Sequence, residues 1–104
     1  MERKLRNLAK GNQKAYVYLS NDELGMRFLK QAESEGFRFG DGAAPTQRMY
    51  EEIMAVNPDL TINYVGTYGR VAFGAGASQI GSTDLIRIDY EKFVNGEEDY
   101  LYKK

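Results

Sequence analysis

The spacing of apolar residues predicts one long amphipathic helix in the first third of the chain. Its apolar face repeats at helical spacing and comprises Leu24, Phe28, Leu29 and Ala32. Ser20 and Glu23 have the spacing of a capping box, and Gly36 suits the left-handed position that ends a helix. We therefore predict a helix over about residues 21–35.

Alternation with a period of two predicts short strands before and after this helix. The predicted strands cover residues 15–19, 37–39, 50–56, 60–65, 70–73 and 85–90. Turn residues separate them at positions 40–42, 57–59 and 66–69, while 74–83 is predicted to be a flexible loop and 91–94 one helical turn. The predicted strands 50–56, 60–65 and 70–73 are expected to form an antiparallel meander.

This order of elements predicts a single α+β domain. We expect a mostly antiparallel sheet of about 4–5 strands, with the one main helix packed on one face. The domain is expected to cover residues 14–104 of the 104-residue chain, with residues 1–13 as a basic N-terminal arm. The pattern leaves open whether the second face of the sheet is covered.

Composition removes several classes of chemistry. The chain contains no cysteine and no histidine. Disulfides, zinc–thiolate sites, cysteine nucleophiles and Ser-His-Asp triads are therefore excluded within one chain. We predict no catalytic residues, no cofactor and no metal site. No apolar run approaches the ~18–20 residues that a membrane span needs, so we expect a cytoplasmic protein without a membrane contact.

Charge is distributed unevenly along the chain. Residues 1–14 carry net +4 and the remainder net −5, within a total of −1. A basic segment on an acidic body could contact nucleic acid or an acidic partner, but a solvated tail that aids solubility is the favoured interpretation. The cations of this predicted arm are Arg3, Lys4, Arg6, Lys10 and Lys14.

The glycine-rich loop GAGASQIG, residues 74–81, suggests an anion site formed by backbone amides. It matches neither the dinucleotide fingerprint nor the P-loop pattern. Two arginines on neighbouring predicted strands could clamp a phosphate or nucleotide, or could pair with carboxylates across the sheet. The candidate ligand-binding residues are Gly74, Gly76, Ser78, Arg70 and Arg87.

Tyrosines and the turn after the helix mark a candidate partner surface. The chain has eight tyrosines, which suit interfaces and half-buried sheet faces alike. Asp41 lies between two glycines, where a turn aspartate is favoured over a metal ligand. The candidate partner-binding residues are Asp41, Thr46, Tyr64 and Tyr68.

Several strings in the sequence carry a resemblance. They are YVYL (16–19), FLKQAESEGFRFGDGAAPT (28–46), INYVG (62–66), GRVAFGAGA (69–77) and LIRIDYEKF (85–93). With these strings the chain resembles small uncharacterised proteins carried by phages and integrated mobile elements of Gram-positive bacteria. The resemblance implies an accessory protein of the anti-defence type, such as an anti-CRISPR, and implies no catalytic residue.

The leading expectation is thus a non-enzymatic protein that binds and inhibits or modulates a host protein. One alternative is a small module that binds a nucleotide or phosphate at the loop 74–81. The other is nucleic-acid binding through residues 3–14. Self-association as a homodimer stays open.

Overall fold

Six strands form one mixed sheet in the computed structural model, which describes residues 3–102. They are β1 (Gln13–Tyr18), β2 (Arg38–Phe39), β3 (Ile53–Val56), β4 (Thr61–Tyr64), β5 (Gln79–Ile80) and β6 (Thr83–Asp89). Their spatial order is β2-β4-β3-β1-β6-β5. The pairs β1–β6 and β2–β4 are parallel, and the other pairs are antiparallel. The two-residue strands β2 and β5 form the edges.

The helices in this part of the chain are α1 (Asp22–Ser34), α2 (Thr67–Gly74) and α3 (Tyr90–Val94). Two short 3-10 turns, Leu5–Asn7 and Pro45–Gln47, complete the elements. None of the helices formed by residues 3–102 has the length and hydrophobicity to cross a membrane. The α+β prediction is confirmed, but the sheet has six strands and mixed pairing, because β1 lies between an antiparallel and a parallel neighbour.

The predicted main helix is confirmed as α1, with a different cap. The side chain of Asn21 accepts a hydrogen bond from the Leu24 N–H at 2.9 Å, so Asn21 and not Ser20 is the N-cap. Gly36 has φ of +91°, the left-handed conformation expected after the last turn. The predicted helical turn at 91–94 is confirmed within α3.

The prediction of a strand at residues 70–73 is wrong, because these residues lie in α2. Four alternating residues are too few to separate a period of two from a helical one. Tertiary packing favours the helix, because Gly69 lies beside the Tyr16 hydroxyl of β1 and Phe73 is buried. The predicted loop 74–83 likewise contains β5, which pairs with the start of β6.

The main core lies between the sheet and α1. Its fully buried side chains include Leu5, Leu19, Phe28, Leu29, Phe37, Met54, Ile62, Ile88 and Tyr90. On β1, Ala15 and Val17 point to this side, as the alternation of a strand requires. The rings of Phe28 and Tyr90 meet edge to face, with centroids 5.6 Å apart.

A second, smaller core covers the other face of the sheet. It comprises Tyr16, Ile53, Ala55, Val65, Phe73 and Leu85. α2 supplies Phe73, whose ring lies 4.5 Å from that of Tyr102. The segment 100–102 is held beside β6, because Ile88 and Leu101 form an antiparallel bridge. Both faces of the sheet are therefore covered.

The N-terminal segment packs on the body of the domain. Leu5, Leu8 and Ala9 belong to the main core. The Glu35 carboxylate, at the end of α1, accepts hydrogen bonds from the backbone N–H groups of Leu5 and Arg6 at 2.8 and 3.0 Å. This carboxylate satisfies two amides of the first 3-10 turn.

Candidate partner surface and ligand cavity

Four exposed side chains of the segment that follows β2, together with Tyr64 of the neighbouring strand β4, form a set that we name the edge surface. Its members are Asp41, Thr46, Arg48, Met49 and Tyr64. The segment that carries the first four connects β2 to β3 and has no regular structure apart from the turn Pro45–Gln47. Side-chain contacts, and not a helix or strand, fix its shape.

The first of these contacts centres on Arg48. Its guanidinium lies 4.8 Å from the ring centroid of Phe39 and pairs with the Asp41 carboxylate. The ring of Phe39 in turn contacts that of Tyr64, with centroids 5.4 Å apart. Arg48 lowers the pKa of Asp41 below its ordinary value, chiefly through the hydrogen bond between the two side chains. The buried ring of Phe39 therefore lies between Arg48 and Tyr64, and Asp41 is joined to it through Arg48.

Thr46 is held against α1. Its backbone N–H and its hydroxyl both donate to Oε1 of Glu33, at 3.2 and 2.6 Å. These hydrogen bonds lower the pKa of the Glu33 carboxyl. The adjacent Pro45 is buried. The predicted surface turn after α1 is therefore held to the body of the domain at Pro45 and Thr46.

Met49 is the apolar member that protrudes furthest from this segment. Its side chain is 69% exposed, and the backbone carbonyl of Met49 accepts a hydrogen bond from the Tyr64 hydroxyl at 2.6 Å. Sequence reasoning missed Met49 and Arg48, because both lie in a stretch without apolar periodicity. The available signal was the sequence of an acidic turn residue, a basic residue and a methionine within one glycine- and proline-containing loop.

Tyr68 is not part of the edge surface. It lies on α2, which covers the opposite face of the sheet, and is 76% exposed. Val71, one turn further along α2, is 65% exposed. The structure thus groups three of the four candidate partner residues and separates the fourth.

Three of the five candidate ligand residues meet at one cavity. Gly76, Ser78 and Arg87 line a hollow of about 330 Å³ that is completed by residues including Leu85 and Tyr102. Gly74 and Arg70 are not among the residues that line it. Arg70 is exposed on α2, so the predicted two-arginine clamp is not formed.

Arg87 has a defined place in this cavity. Its Nη1 donates to the carbonyl of Phe73 at 3.0 Å, near the C-terminus of α2. The guanidinium lies 5.7 and 5.9 Å from the ring centroids of Phe73 and Tyr102. Within residues 3–102 the ion pairs are Arg6–Glu35 and Arg48–Asp41, so neither Arg70 nor Arg87 pairs with a carboxylate there.

The cations of the predicted arm lie in different surroundings. The guanidinium of Arg3 lies 4.7 Å from the Tyr100 ring centroid, and its Nη1 donates to the Phe93 carbonyl. Arg6 pairs with Glu35. Lys4 and Lys10 are exposed, whereas Lys14 belongs to β1 and lines a separate hollow of about 450 Å³.

Among the residues that the structure describes, no group of three acidic side chains is placed to hold a metal ion. Asp41, the candidate weighed for that role, instead accepts a hydrogen bond from the Ala43 N–H at 3.3 Å, as a turn aspartate does. Comparison of the chain with protein-family models, with curated proteins and with solved structures finds no match.

Proposed function

We propose that the protein is a non-enzymatic binding protein that inhibits or modulates a host protein through the edge surface. The observation that carries this proposal is the combination at Met49 and Tyr64. Both side chains are large and exposed, and the irregular segment that carries Met49 is fixed to Tyr64 of strand β4 by a hydrogen bond. An irregular segment held in this way is typical of loops that bind partners on a rigid scaffold.

Pre-organisation gives the physical reason. Ordering a loop and its side chains on binding costs free energy, and a segment that is already fixed avoids most of that cost. The ion pair of Asp41 with Arg48 and the bonds of Thr46 to Glu33 hold the loop before any partner arrives. Tyrosine, methionine and arginine are also the residue types enriched at interfaces.

The nature of the partner is proposed from the resemblance to phage and mobile-element proteins. Such a protein would meet its partner in the cytoplasm of a bacterial host. The polar groups of the edge surface support binding over catalysis, since Asp41 is engaged by Arg48 and the Tyr64 hydroxyl by a backbone carbonyl.

The experiment compares two single substitutions of exposed apolar residues. Met49→Asp places a charge in the edge surface, and Val71→Asp places the same charge on α2, where Val71 has nearly the same exposure. The immobilised wild type and both variants are exposed to lysate from a Gram-positive host, and bound proteins are quantified by mass spectrometry. We expect a protein that binds the wild type and the Val71 variant and is lost with Met49→Asp.

Equal recovery by all three proteins, or recovery of none, contradicts the proposal. Sedimentation of the purified protein tests a further possibility, namely that the edge surface binds a second copy of this chain. If the wild type dimerises and Met49→Asp is monomeric, the edge surface serves self-association, and binding of a host protein through it is wrong.

A further inference from the structure

The cavity between the glycine-rich loop and the chain end has the composition of a mixed polar and apolar site. Gly76 and Ser78 of the loop line it together with Leu101 and Tyr102. Leu85 and Arg87 of β6 belong to the same lining. Its volume of about 330 Å³ lies at the lower end of ligand sites, which span roughly 300–1,000 Å³.

Arg87 supplies positive charge that nothing in the described part of the chain neutralises by an ion pair. A guanidinium has five N–H donors, and the contact with the Phe73 carbonyl accounts for one of them. The rings of Phe73 and Tyr102 hold the guanidinium in place without consuming donors. A partly buried arginine in this state is suited to bind an oxyanion with two parallel hydrogen bonds.

Gly76 keeps one edge of that guanidinium uncovered. A Cβ at this position would lie 3.5 Å from Nη2 of Arg87. Any side chain at residue 76 would therefore cover this N–H donor. The φ of Gly76 is +77°, a conformation that other residues rarely adopt. The glycine therefore meets both the backbone requirement of the loop and the access requirement of the arginine.

We propose that this cavity binds a small organic phosphate. Arg87 binds the phosphate oxygens, and the Ser78 hydroxyl donates a further hydrogen bond. The organic part of the ligand packs against Leu101 and the ring of Tyr102. A nucleoside monophosphate has this combination of one anionic group and one flat apolar group. The cavity lies at the β5 edge of the sheet, opposite the edge surface, so this site is independent of the proposed partner binding.

The test uses a matched pair of substitutions at Ser78. This side chain is exposed, and the contact of residue 78 with the Leu85 N–H is made by its backbone carbonyl at 2.9 Å. Ser78→Asp therefore adds a negative charge to the cavity without removing a packed group, and Ser78→Asn is the neutral control. Adenosine monophosphate, inorganic phosphate and uncharged adenosine are titrated by calorimetry and by thermal shift.

We expect the monophosphate to bind and to raise Tm with concentration, by mass action. Phosphate alone should bind more weakly, and adenosine should not bind. Ser78→Asp should weaken binding at least about tenfold through like-charge repulsion, while Ser78→Asn, which removes the hydroxyl without adding a charge, should weaken it clearly less. Arg70→Ala should leave the affinity unchanged, since Arg70 does not line the cavity.

Equal affinity of the wild type and Ser78→Asp overturns the proposal, as does adenosine binding as tightly as its monophosphate. No binding at concentrations on the order of 10 mM also overturns it. If Ser78→Asp fails to fold, the amide spectrum of the wild type decides. The monophosphate must then shift the Gly76 and Ser78 signals and leave that of Thr46 unmoved, and any other distribution of shifts is contradictory.

Discussion

The Glu35 carboxylate accepts a hydrogen bond from the backbone N–H of Leu5 at 2.8 Å, which joins the end of α1 to the start of the chain. The same carboxylate also accepts from Arg6 and Gln31, and its side chain is 2% exposed. Glu35→Ala would leave buried N–H groups without partners, so we expect the free energy of unfolding to fall by about 2–4 kcal/mol.

Urea denaturation followed by circular dichroism measures this loss. Glu35→Gln retains one acceptor oxygen and should lose about 1–2 kcal/mol. Glu51→Ala is the control, because the side chain of Glu51 is exposed and should contribute nothing measurable. A loss from Glu35→Ala no larger than the control would show that the N-terminal segment does not depend on this carboxylate.

Gly25 and Tyr50 form a second pair that a double-mutant cycle can test. The Tyr50 ring occupies the space that a methyl group on Gly25 would need. In the wild type we expect Gly25→Ala to destabilise the protein by about 1–3 kcal/mol, because the ring must move. With Tyr50→Ala already present, the same substitution should stabilise by up to about 1 kcal/mol, since alanine is the better helix former.

Thermal or urea unfolding of the four proteins provides the cycle. The reversal of sign is the critical result, because a generally poor tolerance of alanine at position 25 would give a loss in both backgrounds. Additive effects of the two substitutions would mean that the ring and the glycine do not interact.

The contact of Thr46 with Glu33 predicts a pH dependence within the edge surface. Hydrogen bonds from Thr46 lower the pKa of the Glu33 carboxyl below its ordinary value of 4.5. A lowered pKa in the folded state means that the contact stabilises the fold above the ordinary pKa and is lost as the pH falls through the lowered one. Asp41 acts in the same direction through Arg48.

We therefore expect the Thr46 amide signal in an NMR titration to be constant at neutral pH and to move with a midpoint below 4.5. In Glu33→Gln this transition should disappear while that of Asp41 remains. A midpoint at or above the ordinary value would contradict the hydrogen-bonded arrangement.

Nucleic-acid binding through residues 3–14 is best tested by charge reversal. Deleting the segment would also remove Leu5, Leu8 and Ala9 from the core and so confuse binding with folding. Lys4 and Lys10 are exposed, and reversing both to glutamate leaves the core intact. Because Arg3 and Arg6 are engaged by the body of the domain, we expect only weak binding of DNA.

Fluorescence anisotropy with a labelled duplex over a range of salt concentrations measures this. Tight binding that falls steeply with salt, and that the double reversal abolishes, would restore the hypothesis of a nucleic-acid arm. The double substitution Lys30→Glu with Arg27→Glu, on the exposed side of α1, is the control of equal charge.

Local signals in the sequence were sufficient for α1 and for the β3–β4 hairpin. The helix follows from a regular apolar face and from Gly36, and the hairpin from the turn around Pro58, all within short stretches of chain. α2 was missed because its glycines are typical of turns and the short alternating segment between them favours a strand. Its helical form depends on packing against β1, where Tyr16 lies beside Gly69 although the two residues are far apart in the sequence.

In the candidate site, too, local features could be predicted from the sequence and contacts between distant residues could not. The turn at Asp41 and the loop at Gly76 were both found, since glycine and aspartate mark turns locally. That Arg48 lies over Phe39, and that Arg87 and not Arg70 faces the loop, depends on the order of strands in the sheet. The parallel pairing of β1 with β6 joins distant segments, and no local pattern encodes such a pairing.

The short edge strands β2 and β5 limit the addition of strands from other chains to this sheet. Each offers only two residues of backbone along an outer edge, too few to template a continuous ladder with another chain. Concentrated solutions should therefore resist edge-to-edge polymerisation, even though the sheet interior is rich in β-branched and aromatic residues. A partner that gains affinity by adding a strand would find little here to extend, which favours contacts made by side chains.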